Sequence, residues 1–241
     1  MKISVVVPAF NEQKLIQETL RRIKQASDAF QDLGWKTEII VCDNNSSDAT
    51  AALARAEGAQ VVFEPINQIG RARNTGAAAA TGDWLIFIDA DSHPSRELFR
   101  DVADAICSGR YLAGGSTVQL EGFTSGWRVL IRAWNTLSRL GRLMAGSFIF
   151  CERNAFIEVG GFNLELYAKE EIDLSRKLKR LAGKRGKKIV ILHRHPLLTS
   201  NRKVTLYSSA ELARFLLHNA LSLGGTLKSA KACFPWYDGR R

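Results

Sequence analysis

The sequence is sparing with cysteine. Its four, Cys42, Cys107, Cys151 and Cys233, stand far apart. They form no CxxC pair, no zinc spacing and no secreted disulfide framework. Reduced thiols in a cytoplasmic protein are the expectation. No run of about 18 apolar residues occurs, so nothing reads as a membrane span. The opening apolar run meets Pro8, Asn11 and Glu12 too soon for a secretory signal. Internal repeats and low-complexity linkers are also missing. What remains is a chain of 241 residues, 46% hydrophobic and 24% charged. That is an ordinary globular composition, and it suffices for one large domain with its own core.

The net charge of +10 is uneven. Residues 1–120 carry 12 Lys/Arg and 15 Asp/Glu, and residues 121–241 carry 22 and 9. The halves therefore differ in sign, −3 against +13. A basic second half points to an anionic partner: nucleic acid, lipid headgroups or a diphosphate. No zinc spacing, RNP-like string or basic recognition helix supports nucleic acid.

The first half alternates strand and helix patterns. Ile3–Val7 is a β-branched run typical of a strand buried on both faces. Asn11 can cap a following helix, with Ile16, Leu20, Ile23 and Phe30 at helical spacing and Gly34 at its end. Strand Glu38–Val41, helix Asp48–Glu57, strand Gln60–Phe63, helix Gly70–Ala80 and strand Trp84–Ile88 follow. Such alternation predicts an α/β fold, a mostly parallel sheet with helices on both faces. The second half reads as strand Leu112–Leu120, helix Trp127–Met144, strand Ser147–Cys151, a turn at Gly160–Gly161, helix Glu171–Leu181, strand Lys188–Leu192 and helix Ser208–Leu221.

Ligands of parallel sheets bind beyond the strands' carboxyl ends. Four loops there carry polar chemistry: residues 8–12, 43–48, 67–74 and 89–91. Asp89 and Asp91, released from a buried strand at i and i+2, can face one cavity and hold a hard divalent cation together with phosphate oxygens. Asp is also common in plain turns. Arg71 and Arg73 open a helix, where amides and guanidiniums favour an anion such as diphosphate.

The strings VVVPAFNE, VCDNNSSDAT, GRARNTGAAAATGDW, FIDADS and GGFNLELYAKEEIDLSRKLKR resemble the family 2 glycosyltransferases of GT-A fold, in order, over residues 3 to about 181. The resemblance implies a nucleoside-diphosphate sugar donor, Mg²⁺ or Mn²⁺, and inversion at the anomeric carbon. It implies that Pro8, Phe10 and Glu12 lie against the nucleoside and that Asp43 accepts a hydrogen bond from the base. Asn44 stands where the family has a second Asp. The short acidic turn becomes Asp89-Ala90-Asp91, with Asp89 on the donor and Asp91 on the metal.

The same resemblance makes Glu171 the general base, with Glu170 as the alternative, because Glu-Glu-Ile-Asp replaces the family's Glu-Asp-x-Asp. Acids in a helix's first turn also simply complement its dipole. A third metal ligand from a C-terminal histidine points to His193, where the strand over 188–192 ends, or to His195. The implied organisation is a transferase domain over 1–205, with a donor half (1–110) and an acceptor half (111–205), followed by a helix and tail over 206–241. Polar residues 199–203 read as a loop able to close over the diphosphate.

Residues 127–144 place Trp127, Leu130, Ile131, Trp134 and Leu137 on one face and Arg128, Arg132, Arg139 and Arg142 on another. A surface helix with its apolar face in the core is the favoured reading. A helix lying on an anionic membrane is the alternative. The latter fits a lipid-linked acceptor at the inner face of a membrane. The family's processive synthases carry QxxRW and membrane helices, and this sequence has neither, so a single transfer is expected.

Overall fold

The computed structural model describes residues 1–120, 133, 135–144 and 146–200. Among the described residues eight strands form one sheet: β1 (Lys2–Ala9), β2 (Lys36–Asp43), β3 (Gln60–Phe63), β4 (Trp84–Ile88), β5 (Ser92–His93), β6 (Tyr111–Leu120), β7 (Phe148–Glu152) and β8 (Lys188–Thr199). Their order is β3-β2-β1-β4-β7-β6-β8-β5. The block from β3 to β4 is parallel, as is the β6/β8 pair. Strand β7 runs antiparallel to both its neighbours, and β5 to β8. The expected α/β sheet is therefore present, with a mixed second half.

Among the described residues the helices α1 (Ile16–Gln31), α2 (Thr50–Ala56), α3 (Ile69–Ala79), α4 (Arg96–Cys107), α5 (Arg153–Glu158) and α6 (Glu170–Lys184) pack on it, beside a further helical stretch over 135–141. Strand β1 is valine-rich and buried from Ile3 to Ala9, as a central strand covered on both faces must be. One face packs against α1 and α4 through Leu20, Ile23, Phe30, Leu98, Phe99 and Val102. The other packs against α5 and α6 through Phe87, Phe156, Phe162, Leu174 and Leu178. Each such side chain, fully buried, contributes about 1.5–3 kcal/mol relative to exposure. Helix α3 lies close on the sheet because Gly76 has no side chain: a Cβ there would stand 2.5 Å from Val6 Cγ1. Pro8 sits past the end of the β1–β4 ladder at Val6–Phe87, where its missing N–H breaks no rung.

Three sequence expectations are corrected. Asn11 does not cap α1, which starts at Ile16; it adopts a left-handed turn (φ 52°) and bonds to the next loop. The strand expected over 188–192 continues to Thr199 and bulges between Leu192 and Leu197. Described residues 135–141 are helical, but Leu137 and Leu140 are 61% and 79% exposed, so this stretch does not turn Leu137 inward. Polar groups dock it instead. Asn135 pairs with both the N–H and the carbonyl of Val118, and the Met144 N–H just beyond donates to Ser175 Oγ on α6, while buried Ser138 closes the local turn on the Leu143 carbonyl. Trp127, Leu130, Ile131 and Trp134 of the expected face lie outside the described residues, as do the helix and tail expected from residue 206.

Candidate active site

Parallel β1, β2 and β4 end at one edge, so the loops after Ala9, Asp43 and Ile88 share it. The first two are laced together. Asn11 N–H donates to Ser46 Oγ (3.0 Å), and Asn11 Oδ1 accepts from Ser47 N–H (2.8 Å). Glu12 N–H donates to Thr50 Oγ1 (2.7 Å) and Gln13 N–H to Asp48 Oδ2 (3.2 Å). Asp48 Oδ1 also accepts from Thr50 N–H at the start of α2. Burial of the Asp48 carboxyl is outweighed by these hydrogen bonds, so it titrates below its ordinary range. Asn11 and Asn45 both occupy the left-handed region (φ 52° and 63°), which asparagine tolerates better than most residues.

Within this edge Phe10 is half-buried, and Pro8, Glu12 and Asp43 are buried. Asp43 accepts from Ser46 N–H (3.0 Å). Asn44 is committed to backbone: its amide donates to the carbonyls of Glu64 and Ile66, and its Oδ1 accepts from Gln68 N–H. It thus holds the approach to α3. Arg71 donates through Nε to Gln68 Oε1 (3.0 Å).

Arg73 is placed differently from the sequence reading. It is 2% exposed and does not line an open anion site. Nη1 donates to Glu170 Oε1 (2.8 Å), while Nη2 donates to Asp89 Oδ1 (2.9 Å) and to the Gly146 carbonyl (2.8 Å). The Phe162 ring lies 5.2 Å from the guanidinium carbon. Burial disfavours the Arg73 charge, but Asp89 and Glu170 more than offset this. One buried cation thus joins the short acidic turn after β4 to the first residue of α6, 97 positions along the chain from Arg73.

Gly146 reaches the cluster because β7 is antiparallel to β4, with Phe148 opposite Ile88. Lys169, left-handed at φ 64°, turns the chain into α6. Glu170 is 3% exposed, while Glu171 keeps partial access to solvent. Glu171 stands across from Gly146, where a Cβ would meet its Cδ at 3.6 Å. Burial, then the neighbouring charge of Glu170, push the Glu171 carboxyl up to about 8, against a partial downward pull from Arg73.

Asp91 is 5% exposed; its Oδ2 accepts from Ser200 Oγ (3.2 Å) and its carbonyl from Ser200 N–H (3.0 Å). Ala90 is buried, and its carbonyl accepts from Thr19 Oγ1 (2.8 Å), which fixes the turn between the two acids. A carboxylate set of this kind suits a small hard cation completing its shell with phosphate oxygens and water. Among the described residues no group of three His, Cys, Asp or Glu converges as a ready-made metal site.

The structure does not bring His193 to Asp91. The strand pairing before His193 is Ser116–Leu192, four residues short of the Leu120–Thr199 pair beside Ser200. That is about 13 Å of strand rise, far beyond any metal–ligand bond. His193 is exposed, and His195 Nδ1 lies 3.0 Å from Asp101 Oδ2 on α4.

Gly146, Asn74 and Phe162 were not singled out from the sequence; Ser200 stands in the loop expected over 199–203, of which residues 201–203 lie outside the described residues. Asn74 bonds both backbone groups of Phe162 at 3.0 Å, which seats that ring under Arg73. Asn74 lies in the GRARNTG string, so only its partner was hidden. The Gly146 contact is a backbone carbonyl and leaves no trace in residue type.

Residues 4–163 match the family described as Glycosyl transferase family 2. An undecaprenyl-phosphate 4-deoxy-4-formamido-L-arabinose transferase of Klebsiella pneumoniae is 40% identical over 112 residues, 43% of this chain and 33% of that protein. An uncharacterized protein of Methanocaldococcus jannaschii is 32% identical over 154 residues, 61% of this chain and 60% of its own. The chain thus spans a third to three fifths of the curated relatives it matches. Among solved structures, a mannosyltransferase from Pyrobaculum calidifontis in complex with GDP-Man and Mn²⁺ superposes with a TM-score of 0.68 at 19% identity, covering 98% of this chain and 67% of that one. A glucosyl-3-phosphoglycerate synthase from Mycobacterium tuberculosis, in complex with Mn²⁺, UDP and glucosyl-3-phosphoglycerate, gives 0.63 at 23% identity, covering 93% and 80%. The fold is therefore that of the GT-A glycosyltransferases, and the chain belongs to glycosyl transferase family 2.

Proposed function

We propose that this chain transfers a sugar, with inversion, from a nucleoside-diphosphate sugar to an acceptor hydroxyl. The observation that carries this reading is the Arg73 bridge, which puts Asp89 and Glu170 on one wall, 2.9 and 2.8 Å from the same guanidinium. The nucleoside lies along Pro8, Phe10, Glu12 and Asp43, and Asp89 takes a hydroxyl of the donor. Asn44, Arg71 and Arg73 act by shaping the loops and the carboxylate pair. Asp91 would hold Mg²⁺ or Mn²⁺, which supplies charge neutralisation at the departing diphosphate.

Glu171 is the base in this reading. Glu170 is tied to Arg73 and nearly sealed from solvent, whereas Glu171 keeps access and has raised proton affinity. Ionised Glu171 takes the acceptor's proton as that oxygen attacks the anomeric carbon. The bond from that carbon to the diphosphate breaks, and its electron pair leaves with the diphosphate. A base with a pKa near the operating pH is well matched to this task. The relative named for undecaprenyl phosphate makes a lipid-linked acceptor the class to try first.

The test is a donor panel with Mg²⁺ or Mn²⁺, followed by variants. Glu171→Gln should bind donor and lose transfer, typically by ~10²–10⁴-fold for a lost general base. Glu170→Gln should retain transfer, its acid limb moved to lower pH because one negative neighbour of Glu171 is gone. Loss of transfer in Glu170→Gln alone would exchange the two roles. An acceptor phosphate is already ionised at neutral pH and needs no base, so unimpaired transfer by Glu171→Gln would replace the hydroxyl by a phosphate.

A further inference from the structure

Away from the cleft, an open groove of about 540 Å³ runs between the helical residues 135–141 and the first half of β8. It begins where β6 and β8 begin, at Tyr111 and Lys188, the sheet end opposite to the loops that carry Asp43, Asp89 and Ser200. Its polar lining is Arg139, Arg142, Lys188, His193, Tyr111 and Thr136. Among the described residues no carboxylate pairs with Arg139, Arg142 or Lys188. The adjoining groove, lined by Asp101, Asp104, Arg110 and Arg194, carries both signs by contrast. Arg142 is held left-handed at φ 51°, just past the helical stretch, where glycine is the usual residue. Backbone strain of this kind concentrates at binding sites.

The groove is amphipathic. Ile189, Val190 and Ile191 line its floor, and Leu140 stands on the rim. Leu140, 79% exposed, is the chain neighbour of Arg139, and Leu137, 61% exposed, stands three residues before it on the same helical stretch. A soluble anion would satisfy the cations and leave these leucines in water. A phospholipid headgroup satisfies the cations while the leucines enter the acyl boundary, and long basic side chains suit that depth.

We propose that this groove and its leucine rim are a docking surface for a bilayer of anionic phospholipid, seating a phosphate between Arg139, Arg142 and Lys188. The surface is independent of sugar transfer: a chain inactive as a transferase would still bind.

The test is co-sedimentation of the full chain with phosphatidylcholine vesicles, with and without about 30% phosphatidylglycerol. Binding should require the anionic lipid and weaken with salt. Arg139→Glu with Lys188→Glu should lower the partition coefficient at least tenfold, since each basic residue near an anionic surface adds roughly five-fold. Lys14→Glu with Lys36→Glu, exposed and on the first half of the chain, removes the same charge and should cost far less. Leu137→Ser with Leu140→Ser should weaken binding with no change in net charge. Thermal unfolding checks that each variant is folded. Equal losses in both charge-reversal pairs would overturn the proposal, because binding would then follow net charge. So would an unaffected leucine pair, or stabilisation by inorganic phosphate with no vesicle binding.

Discussion

At the residue scale, Arg73 and Glu171 are the two side chains on which most depends. Arg73 is buried with two carboxylates and a carbonyl around it. Arg73→Gln keeps some hydrogen bonding but strands Asp89 and Glu170 without their cation. Breaking a buried pair in this way typically costs about 3–5 kcal/mol, and chemical denaturation should show it. Glu171 makes the opposite kind of contribution. Its folded-state pKa, about 8, stands above the ordinary 4.5. Between those values the folded state binds the proton that the unfolded chain releases, so the group favours folding below pH 4.5 and loses that contribution as pH rises through 8. Glu171→Gln should therefore be more stable than the parent at pH 8.5, with little difference at pH 5, in paired thermal melts. The same titration should give the parent a transfer rate that climbs through neutral pH. Asp91→Ala should abolish any metal-stimulated turnover, checked by titrating Mn²⁺ against both proteins.

At the scale of elements, close approach and turn geometry decide which helices lie where. Gly161 has φ 65°, and a Cβ there would stand 2.7 Å from Asn74 Oδ1. Gly161→Ala should lower stability by about 1–3 kcal/mol and loosen Phe162 beneath Arg73, a change to be read by urea unfolding and by KM for the donor. Strands β1, β3 and β4, and helix α3, were legible in the sequence because β-branched runs and glycine or charged punctuation mark their ends. The bulge in β8 was not, because His193–Pro196 keep an extended backbone while leaving the β6 ladder. Residues 135–141 misled for a different reason. Helical spacing predicts which side chains share a face, but the docking was decided by Asn135 finding both backbone groups of Val118. The acids of the cleft could be named from type and order alone. That Arg73 would be buried among them depended on a contact 97 residues away in the chain, which spacing cannot report.

At the scale of the whole molecule, the sheet separates two kinds of chemistry. The carboxyl ends of β1, β2 and β4 gather the buried acids, and the starts of β6 and β8 present unpaired cations among the described residues. This division is the spatial form of the charge asymmetry between the halves of the sequence. Among the described residues no helix is long and apolar enough to cross a membrane. Asp89 and Glu170 come from opposite sides of that asymmetry yet grip a single guanidinium. An engineer who exchanges the second half for that of another member of the family therefore inherits a constraint. The incoming segment must bring its own anion to Arg73, or the graft will leave that buried cation with Asp89 alone and one of its forks unanswered.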